Sequence, residues 1–442
     1  MFYSGDISYY IISLGCSKNL VDSERINGEM ISAGYKPADS AEEAGIIIIN
    51  TCGFIKPAKE ESIEIILDAA SLKEDEGERF DLIEEDRFSR KLVVTGCLSK
   101  RYYDDMLNDM PEIDFLYGIP DDNFVRKFSE SFKIRINDPL HKRKRLYTSP
   151  ASSYIKISDG CSNNCSYCAI PLIRGPHVPF PPEFILEEAS DAAAGGALEL
   201  NIIAQDIAAY RWEEMRLPGL VNRISEIEGV KWIRLLYCHP DHITDDIIEL
   251  ISSNSKVVPY IDLPFQHVNP EILRSMGRMG SPSRYYDLVN RLREKVPGII
   301  IRSTFMVGYP GEKEKQFQEL LGFIKKARLD KVGCFTYSSE EDTKASFLRD
   351  TISPKVKERR ASELMSIQME ISSEKMSSYI ETEVDVLVED KIDDKTYVGR
   401  TKYDAPEVDG VFYLTSGENR VNDIVRARVT DSVEYDLIGE II

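Results

Sequence analysis

The chain has 442 residues, 42% of them hydrophobic and 29% charged, which is the composition of a globular protein with room for roughly two to four domains. It contains no apolar run of about 18 residues, and its N-terminus has no basic stretch followed by an apolar core, so we expect a cytoplasmic protein without a membrane span or secretion signal. The formal net charge of −20 disfavours a polyanionic partner such as RNA, unless a local basic patch compensates.

The first segment alternates apolar strands with amphipathic helices. Strands are predicted over "YYIISLGC", "AGIIIINTCGF" and "KLVVTGCLS", and helices follow the first two. This pattern indicates βαβ units and a parallel α/β domain, which we place at residues 7–132. The acidic stretch "LKEDEGERFDLIEEDRFSRK" is expected to be a solvated insertion, and residues 133–153, with the basic run "HKRKR", a linker.

Each of these three strands leads directly to a cysteine, namely Cys16, Cys52 or Cys97, and each cysteine adjoins a glycine. The carboxyl ends of parallel strands lie on one edge of a sheet, where such folds bind ligands. Glycine also lets the backbone approach a bulky inorganic group closely. We therefore expect the three thiols to meet at this edge, although three such separated cysteines can also be unrelated core thiols.

Two further domains are predicted after the linker. Residues 154–375 contain six strand-like pieces, from "YIKISDGC" to "KVGCFTYS", with helical pieces between them. Six β/α units are too few for the usual eightfold barrel, so an open, partial (β/α)6 barrel is expected. Residues 376–442 hold short strands punctuated by Gly, Asn and Asp, which predicts a small β-barrel.

The stretch "DGCSNNCSYCAIP" places Cys161, Cys165 and Cys168 within eight residues. In a chain without a secretion signal, such cysteines indicate metal ligation rather than disulfides. A structural zinc ion takes four ligands, whereas a cubane iron–sulfur cluster held by three thiolates keeps one iron open. Cys238 and Cys334 lie in apolar strands and are expected to be core thiols.

The spacing Cys-x-x-x-Cys-x-x-Cys, with Tyr167 before the last cysteine, resembles the radical S-adenosylmethionine superfamily. The chain as a whole resembles the methylthiotransferases of that superfamily, from end to end. The resemblance rests on "SLGCSKNLVDSE", "NTCGFIKPAKEESIE" and "VTGCLSKRY" in the first domain, "KISDGCSNNCSYCAIPLIRG" and "TFMVGYPGE" in the second, and "VGRTKYDAPEVDGVFYL" in the last, which is similar to a TRAM module.

The resemblance implies two [4Fe–4S] clusters and S-adenosylmethionine as cofactors. Cys161, Cys165 and Cys168 would hold the catalytic cluster, and Cys16, Cys52 and Cys97 an auxiliary cluster. One S-adenosylmethionine would methylate sulfur at the auxiliary cluster, and a second would be split to a radical that removes hydrogen from the substrate carbon. Candidate contacts to cofactor or substrate are Tyr167, Gln205, Arg302 and Tyr337, the last of which core packing explains equally well.

The family divides mainly between enzymes that modify an aspartate of ribosomal protein uS12 and enzymes that modify an adenosine of tRNA. "LGCSKNLVDSE", "NTCGFI" and "FTYSSEEDTKA" resemble the uS12 branch. Residues 376–442 carry seven Lys and Arg against sixteen Asp and Glu, which suits a lysine-rich protein better than tRNA. An electron donor such as flavodoxin or ferredoxin is implied.

Two other hypotheses remain at this stage. The chain could be a non-catalytic RNA-binding protein with zinc in its cysteine sites, or a radical enzyme of different chemistry. It also departs from the family pattern at "RGPHVPFPPEFI", where arginines are usual, and at "QDIAAY", where Gln-Asp-Thr-Thr is usual. Both departures lie in the expected cofactor and substrate region.

Overall fold

The computed structural model describes residues 2–79, 88–137, 145–415 and 420–442. The chain divides into two compact units. The N-terminal unit comprises Met1–Thr148 and Ala169–Pro176, and the second unit comprises Ser149–Cys168 and His177–Ile442. In the described part of the chain, no helix is both long and apolar enough to cross a membrane.

The N-terminal unit is built on a five-stranded parallel sheet with strand order β3-β2-β4-β5-β6. A separate short pair, β1 with β7, is also parallel. The strands are β1 (Phe2–Tyr3), β2 (Ser8–Ser13), β3 (Lys36–Pro37), β4 (Ile46–Thr51), β5 (Lys91–Gly96), β6 (Phe115–Leu116) and β7 (Ile134–Arg135). The helices are α1 (Ser17–Ser32), α2 (Lys56–Arg79), α3 (Cys97–Arg101), α4 (Tyr103–Asp109), α5 (Phe124–Ser131) and α6 (Ile170–Arg174).

Helices cover both faces of this sheet, which explains why β4 is an uninterrupted β-branched run. Ile46 and Ile48 pack with α1 and α5 on one face, while Ile47 and Ile49 pack with α2 and α4 on the other. A strand buried on both faces needs apolar residues at consecutive positions rather than at alternate ones. The predicted parallel α/β architecture is confirmed.

Two local expectations in this unit differ from the structure. Strand β2 ends at Ser13, three residues before Cys16, because Cys16 is already the N-cap residue of α1. The expected solvated insertion begins inside α2, which continues to Arg79. Residues 80–87 lie outside the described residues. The last residues of the insertion, 88–91, include Phe88, which packs on Phe2, and Lys91, which begins β5.

The expected linker also contains regular structure and a buried side chain. Its first residues include β7, which pairs with β1 at the N-terminus. Within the basic run, residues 141–144 lie outside the described residues, but Arg145 is buried against Glu24 of α1. A buried, paired cation is part of the core of this unit, so Arg145 does not belong to a solvated connector.

The second unit begins with six parallel strands in the order β17-β16-β15-β14-β11-β8, which confirms the predicted open (β/α)6 barrel. The six strands of this sheet are β8 (Ser152–Lys156), β11 (Glu199–Ile203), β14 (Trp232–Leu235), β15 (Val257–Asp262), β16 (Ile300–Val307) and β17 (Lys331–Thr336). Two short pairs lie outside it, β9 (Ser158–Asp159) with β10 (Val178–Pro179) and β12 (Arg211–Trp212) with β13 (Met215–Arg216). The helices are α7 (Pro182–Ala194), α8 (Leu217–Ser225), α9 (Asp245–Ser253), α10 (Pro270–Ser275), α11 (Pro282–Lys295), α12 (Glu314–Ala327) and α13 (Pro354–Ser377).

The C-terminal strands close into a small five-stranded barrel, as predicted, with the order β18-β19-β20-β22-β21. They are β18 (Glu383–Lys391), β19 (Thr396–Thr401), β20 (Phe412–Thr415), β21 (Ile424–Ser432) and β22 (Leu437–Ile441). Alternate residues such as Val386, Val388, Phe412 and Leu414 fill its interior. Closure pairs every one of these five strands on both sides.

Buried charges join the small barrel to the larger one. Glu199 of β11 accepts hydrogen bonds from Arg234 of β14 at 2.7 Å and from Arg400 of β19 at 2.7 Å. Burial raises the pKa of Glu199, but the two guanidinium groups outweigh it and lower that pKa to about 2. The carboxylate therefore remains ionised inside the molecule, because both of its oxygens face cations.

Candidate functional site

The first candidate site lies at the carboxyl edge of the N-terminal sheet. Cys52 directly follows β4, Cys97 is the first residue of α3 after β5, and Cys16 precedes α1. Strands β2, β4 and β5 are neighbours in the sheet, so the three turns lie side by side. Topology thus brings together thiols that are separated by 35 and 44 residues of sequence.

The glycines beside these cysteines allow the close approach. Gly15 has a φ of +93°, and a Cβ placed on it would lie 2.8 Å from the Cys52 Sγ. A Cβ on Gly53 would lie 2.7 Å from the backbone nitrogen of Leu98, the residue after Cys97. Any larger residue at these positions would push the cysteine turns apart, so the turns form a cradle that requires glycine.

The three thiols also influence one another electrostatically. Burial raises the pKa of Cys52 to about 11, and Cys97 and Cys16 contribute to the increase. Burial likewise raises the pKa of Cys97, although the neighbouring Arg174 guanidinium opposes the shift. Thiols with raised pKa values bind metal only when the metal displaces their protons, so Cys52 and Cys97 suit a strongly bound cationic group.

The second candidate site is the loop between β9 and α6, which carries Cys161, Cys165 and Cys168. All three are partly exposed, and the Cys168 backbone N–H donates to the Cys165 carbonyl at 3.2 Å. None of the eight cysteines, all of which lie in the described residues, forms a disulfide. The loop therefore holds three partly exposed thiols within eight residues, and no disulfide competes for them.

The turn after α10 fixes the position of this loop. Ser166 donates its backbone N–H to the Met276 carbonyl at 2.8 Å. Arg278, which is buried, donates to the Tyr167 hydroxyl at 3.2 Å and approaches the Cys165 Sγ at 3.7 Å. The same guanidinium donates to the Pro264 carbonyl at 2.8 Å. Burial raises the pKa of Tyr167, so its hydroxyl remains protonated beside the cysteines.

Gln205 lies at the end of β11, close to the loop that carries the second triad. Its Nε2 donates to the Asp159 Oδ1 at 3.1 Å, and Asp159 also pairs with Lys156. The Gln205 Oε1 is buried without a hydrogen-bond partner in the described part of the chain. A buried, unpaired carbonyl oxygen costs free energy until a donor reaches it, so it suits contact with a bound polar group.

Asp206, the next residue, organises a polar cluster that the sequence did not single out. It pairs with His242 at 2.6 Å, and it accepts from Asn163 Nδ2 at 2.9 Å and from the His239 backbone N–H at 3.1 Å. The hydrogen bond that His242 makes to the Asp206 carboxylate raises the pKa of His242, whereas burial lowers the pKa of His239 to about 3. The cluster borders the Cys161 loop through Asn163.

Two other residues expected at the site have partners within the second unit. Arg302 pairs with Asp262 at 3.3 Å and with Asp409 of the C-terminal segment at 3.4 Å. Tyr337 is buried, packs edge-to-face on Tyr309 and donates to the Ala345 carbonyl at 3.1 Å. The structure accounts for both side chains by contacts inside the protein.

Both triads suit an iron–sulfur cluster. Among the described residues, no three His, Cys, Asp or Glu side chains converge as a single metal ion requires. A cubane cluster makes a different demand, because each of its irons takes its own thiolate and the ligands surround the cluster rather than one ion. The donor set of three cysteines and the glycine cradle at Cys52 match that demand.

Family models match all three parts of the chain. Residues 8–118 match the uncharacterized protein family UPF0004, residues 155–324 the radical SAM superfamily, and residues 380–442 the TRAM domain. The second and third matches cover the open barrel and the small closed barrel, respectively.

Curated relatives match the chain over nearly its whole length. A protein of Geobacter sulfurreducens named ribosomal protein uS12 methylthiotransferase RimO is 42% identical over 98% of both chains. This chain belongs to the RimO family. A RimO of Thermoanaerobacter sp. is 41% identical over 97% of this chain and 99% of its own length. The RimO relatives thus contain the same three parts in full.

Solved structures support the RimO fold assignment at low sequence identity. The radical S-adenosylmethionine methyltransferase TsrM from Kitasatospora setae is 12% identical, with a TM-score of 0.55 over 74% of this chain and 72% of that one. The cobalamin-dependent radical enzyme OxsB, without its cofactor, is 12% identical, with a TM-score of 0.52 over 82% of this chain and 56% of that one. These likenesses concern the fold alone.

Proposed function

We propose that this chain is a radical S-adenosylmethionine methylthiotransferase that inserts a methylthio group at the β-carbon of an aspartyl residue of ribosomal protein uS12. The observation that carries the proposal is the convergence of Cys16, Cys52 and Cys97 in the N-terminal unit. A radical core alone fits many reactions. A second thiol triad in a RimO family member supplies the place where sulfur would be held.

In this proposal Cys161, Cys165 and Cys168 hold the catalytic [4Fe–4S] cluster, and Cys16, Cys52 and Cys97 hold a second one. When bound, the clusters and S-adenosylmethionine would supply the methylthio group and the one-electron chemistry that activates the substrate carbon. The chain's own residues bind and orient these groups.

Two protein groups beside the second triad have roles that their contacts suggest. Arg278 fixes Tyr167 and the Cys165 turn, because one guanidinium reaches both. Gln205 offers its unpaired Oε1 to a donor such as an amino group. Arg302 and Tyr337 remain proposed contacts to cofactor or substrate, and each also has a partner within the protein.

The charge of the C-terminal segment favours the protein substrate over tRNA. Residues 376–442 carry a net charge of −9 from seven basic and sixteen acidic residues. An acidic surface attracts a lysine-rich ribosomal protein, whether free or in the small subunit, and repels a nucleic acid.

The proposed reaction also implies a compartment, an electron donor and a division of the chain into domains. The enzyme would act in the cytoplasm with an electron donor of the flavodoxin or ferredoxin class. Residues 7–132 would form the auxiliary-cluster domain, 154–375 the radical core and 376–442 the substrate-docking TRAM domain. Residues 133–153 would link the first two, with Arg145 packed into the N-terminal unit rather than solvated.

Intact-mass analysis of uS12 tests the proposal. After anaerobic incubation with the reconstituted enzyme, S-adenosylmethionine and a reductant, uS12 should gain one methylthio group less one hydrogen. The Cys161→Ala and Cys52→Ala variants should each lose the product. The Cys334→Ala variant removes a thiol from β17, outside both triads, and should retain it.

Three outcomes would contradict the proposal in different ways. Modification of tRNA with unmodified uS12 would assign the other branch of the family. Formation of 5′-deoxyadenosine without any methylthio product would indicate different radical chemistry. Stoichiometric zinc without iron after anaerobic reconstitution would favour a non-catalytic protein.

A further inference from the structure

A buried cation borders the first cysteine triad. Arg174, the last residue of α6, has a side chain that is 2% exposed. Its Nη2 donates to the Asn19 Oδ1 at 2.8 Å and to the Asp22 Oδ2 at 2.9 Å. The guanidinium also lies close enough to the side chain of Cys97 to act on its charge. All four residues belong to the N-terminal unit.

The orientation of Asn19 makes this contact specific. Its Nδ2 donates to the Leu14 and Thr51 carbonyls, both at 2.9 Å, so the amide cannot turn over without losing two hydrogen bonds. The Asn19 Oδ1 therefore faces the Cys97 Sγ, at 3.5 Å, as well as Arg174.

This arrangement changes once Cys97 binds iron. A cysteine ligand is a thiolate, which accepts hydrogen bonds and no longer donates one to Asn19. An amide oxygen and a thiolate repel each other unless a donor serves both. The Arg174 guanidinium is that donor, because its planar fork already reaches both side chains.

Packing keeps the guanidinium in place. Ala169 and Ile173, on the same short helix, pack directly against Cys97 together with Ile119. Ala169 follows Cys168, the last cysteine of the second triad, without an intervening residue. Because α6 packs on Cys97, it holds the Arg174 guanidinium at a fixed place beside that cysteine.

We propose that Arg174 is a positioning residue for the Cys97 ligand of the auxiliary cluster, holding its thiolate beside Asn19 and stabilising the negative charge that the cluster gains on reduction. The inference rests on the proposed function, because it requires a cluster on Cys16, Cys52 and Cys97. Hydrogen bonds and nearby charge set the potentials of iron–sulfur clusters, so a reduction potential measures this role directly.

The experiment uses the full chain with Cys161, Cys165 and Cys168 all replaced by Ala, so that only the auxiliary cluster remains. Iron content is measured first, and then the midpoint potential by an EPR-monitored redox titration. Adding Arg174→Gln should make the midpoint potential more negative. The equilibrium constant for reduction should fall at least tenfold, which corresponds to about 59 mV for one electron. Arg174→Lys keeps the charge and should shift it less.

Arg145→Gln is the matched control. Like Arg174, Arg145 is a buried cation paired with a carboxylate of α1, but its partner is Glu24 rather than Asp22. It should leave the potential unchanged. Iron bound at an unaltered potential in Arg174→Gln would overturn the role of Arg174 alone. A parent variant without iron would overturn the auxiliary cluster and this inference together, and loss of iron in Arg174→Gln but not in Arg145→Gln would support it.

Discussion

At the scale of single residues, the two triads differ in how strongly the protein encloses them. In the first triad Cys52 and Cys97 are 8% and 6% exposed and Cys16 is exposed, whereas the cysteines of the second loop are all partly open. Burial makes ionisation of an enclosed thiol unfavourable, and an iron cluster offsets that cost by taking the thiolate. Cys52 and Cys97 therefore suit a resident group, with the exposed Cys16 at its rim, and the second triad leaves room for an exchanging partner.

Replacing Cys52 by Ala should remove about half of the bound iron, because one cluster loses a ligand while the other keeps all three. Iron analysis of the anaerobically reconstituted protein measures this. Cys334→Ala should leave the iron content unchanged. Equal iron in Cys52→Ala and the parent protein would show that the auxiliary site lies elsewhere.

At the scale of elements, the turns after the strands decide where the thiols lie. Gly96 joins β5 to α3 with a φ of +107°, and a Cβ there would lie 2.5 Å from the Asn50 Oδ1 and 2.6 Å from the Thr51 backbone. The neighbouring strand β4 thus fills the space that a side chain would need. The turn can only hold Cys97 in place with glycine at this position.

Gly96→Ala should lower the free energy of unfolding by about 1–3 kcal/mol and reduce the iron content, since the backbone strain falls on the residue before Cys97. Gly322→Ala is the control, because Gly322 is exposed in α12 and a Cβ placed on it would meet no atom of the described residues within 4 Å. It should be neutral or slightly stabilising, by about 0.5–1 kcal/mol. Denaturant titration measures the free energy of unfolding of both variants. An equal effect of Gly96→Ala and Gly322→Ala would contradict the need for glycine at the Cys97 turn.

Glu199 links three strands and makes the free energy of unfolding depend on pH. Its pKa of about 2 in the folded protein lies below its ordinary value of 4.5, so its contribution is present above pH 4.5 and is lost as the pH falls towards 2. This lowering of the pKa corresponds to a contribution of about 3 kcal/mol to the free energy of unfolding. Glu199→Gln should lose that part of the pH dependence.

The same variant should be less stable at neutral pH by about 3–5 kcal/mol, because Arg234 and Arg400 keep their buried charges without the carboxylate. Glu389 also pairs with Arg400, but its side chain is 29% exposed, so Glu389→Gln should cost less. Unfolding curves at several pH values distinguish them. An unchanged profile between pH 4.5 and 2 in Glu199→Gln would refute the assignment.

At the scale of the whole molecule, charge is distributed to suit the proposed substrate. The chain carries a net charge of −20, and the last 67 residues account for −9 of it. Attraction between this surface and a basic protein acts over about 10 Å at 0.1 M salt and over about 3 Å at 1 M.

Raising the salt concentration should therefore increase the KM for uS12 more than about tenfold while leaving kcat little changed, because salt weakens encounter and not the chemistry. Steady-state kinetics on uS12 measure this. Cleavage of S-adenosylmethionine without uS12 is the control and should be insensitive to salt. A KM independent of salt would show that the acidic surface does not dock the substrate.

The limits of prediction from sequence appear in particular residues. Cys16, Cys52 and Cys97 can be assigned to one edge because periodicity predicts the strands before them, and the carboxyl ends of parallel strands share an edge. Arg174 and Arg278 cannot be singled out in this way, since an isolated arginine carries no pattern. Arg278 lies 113 positions from Cys165 in the chain, and only the folded barrel brings them together. Asp206 lies within "QDIAAY", but nothing in that stretch indicates its pairing with His242.

Local sequence patterns are enough to predict the succession of strands and helices, the parallel sheets and the spacing of Cys161, Cys165 and Cys168, because each depends on residues within a few turns of chain. Grouping Cys16, Cys52 and Cys97 needs one further rule, that the carboxyl ends of parallel strands share an edge. Only folding in three dimensions selects which cations and carboxylates are buried together, such as Arg174 with Asp22 or Glu199 with Arg400. Pairing of charges depends on distance in space and on the exclusion of water, and neither is written in any local spacing of residues.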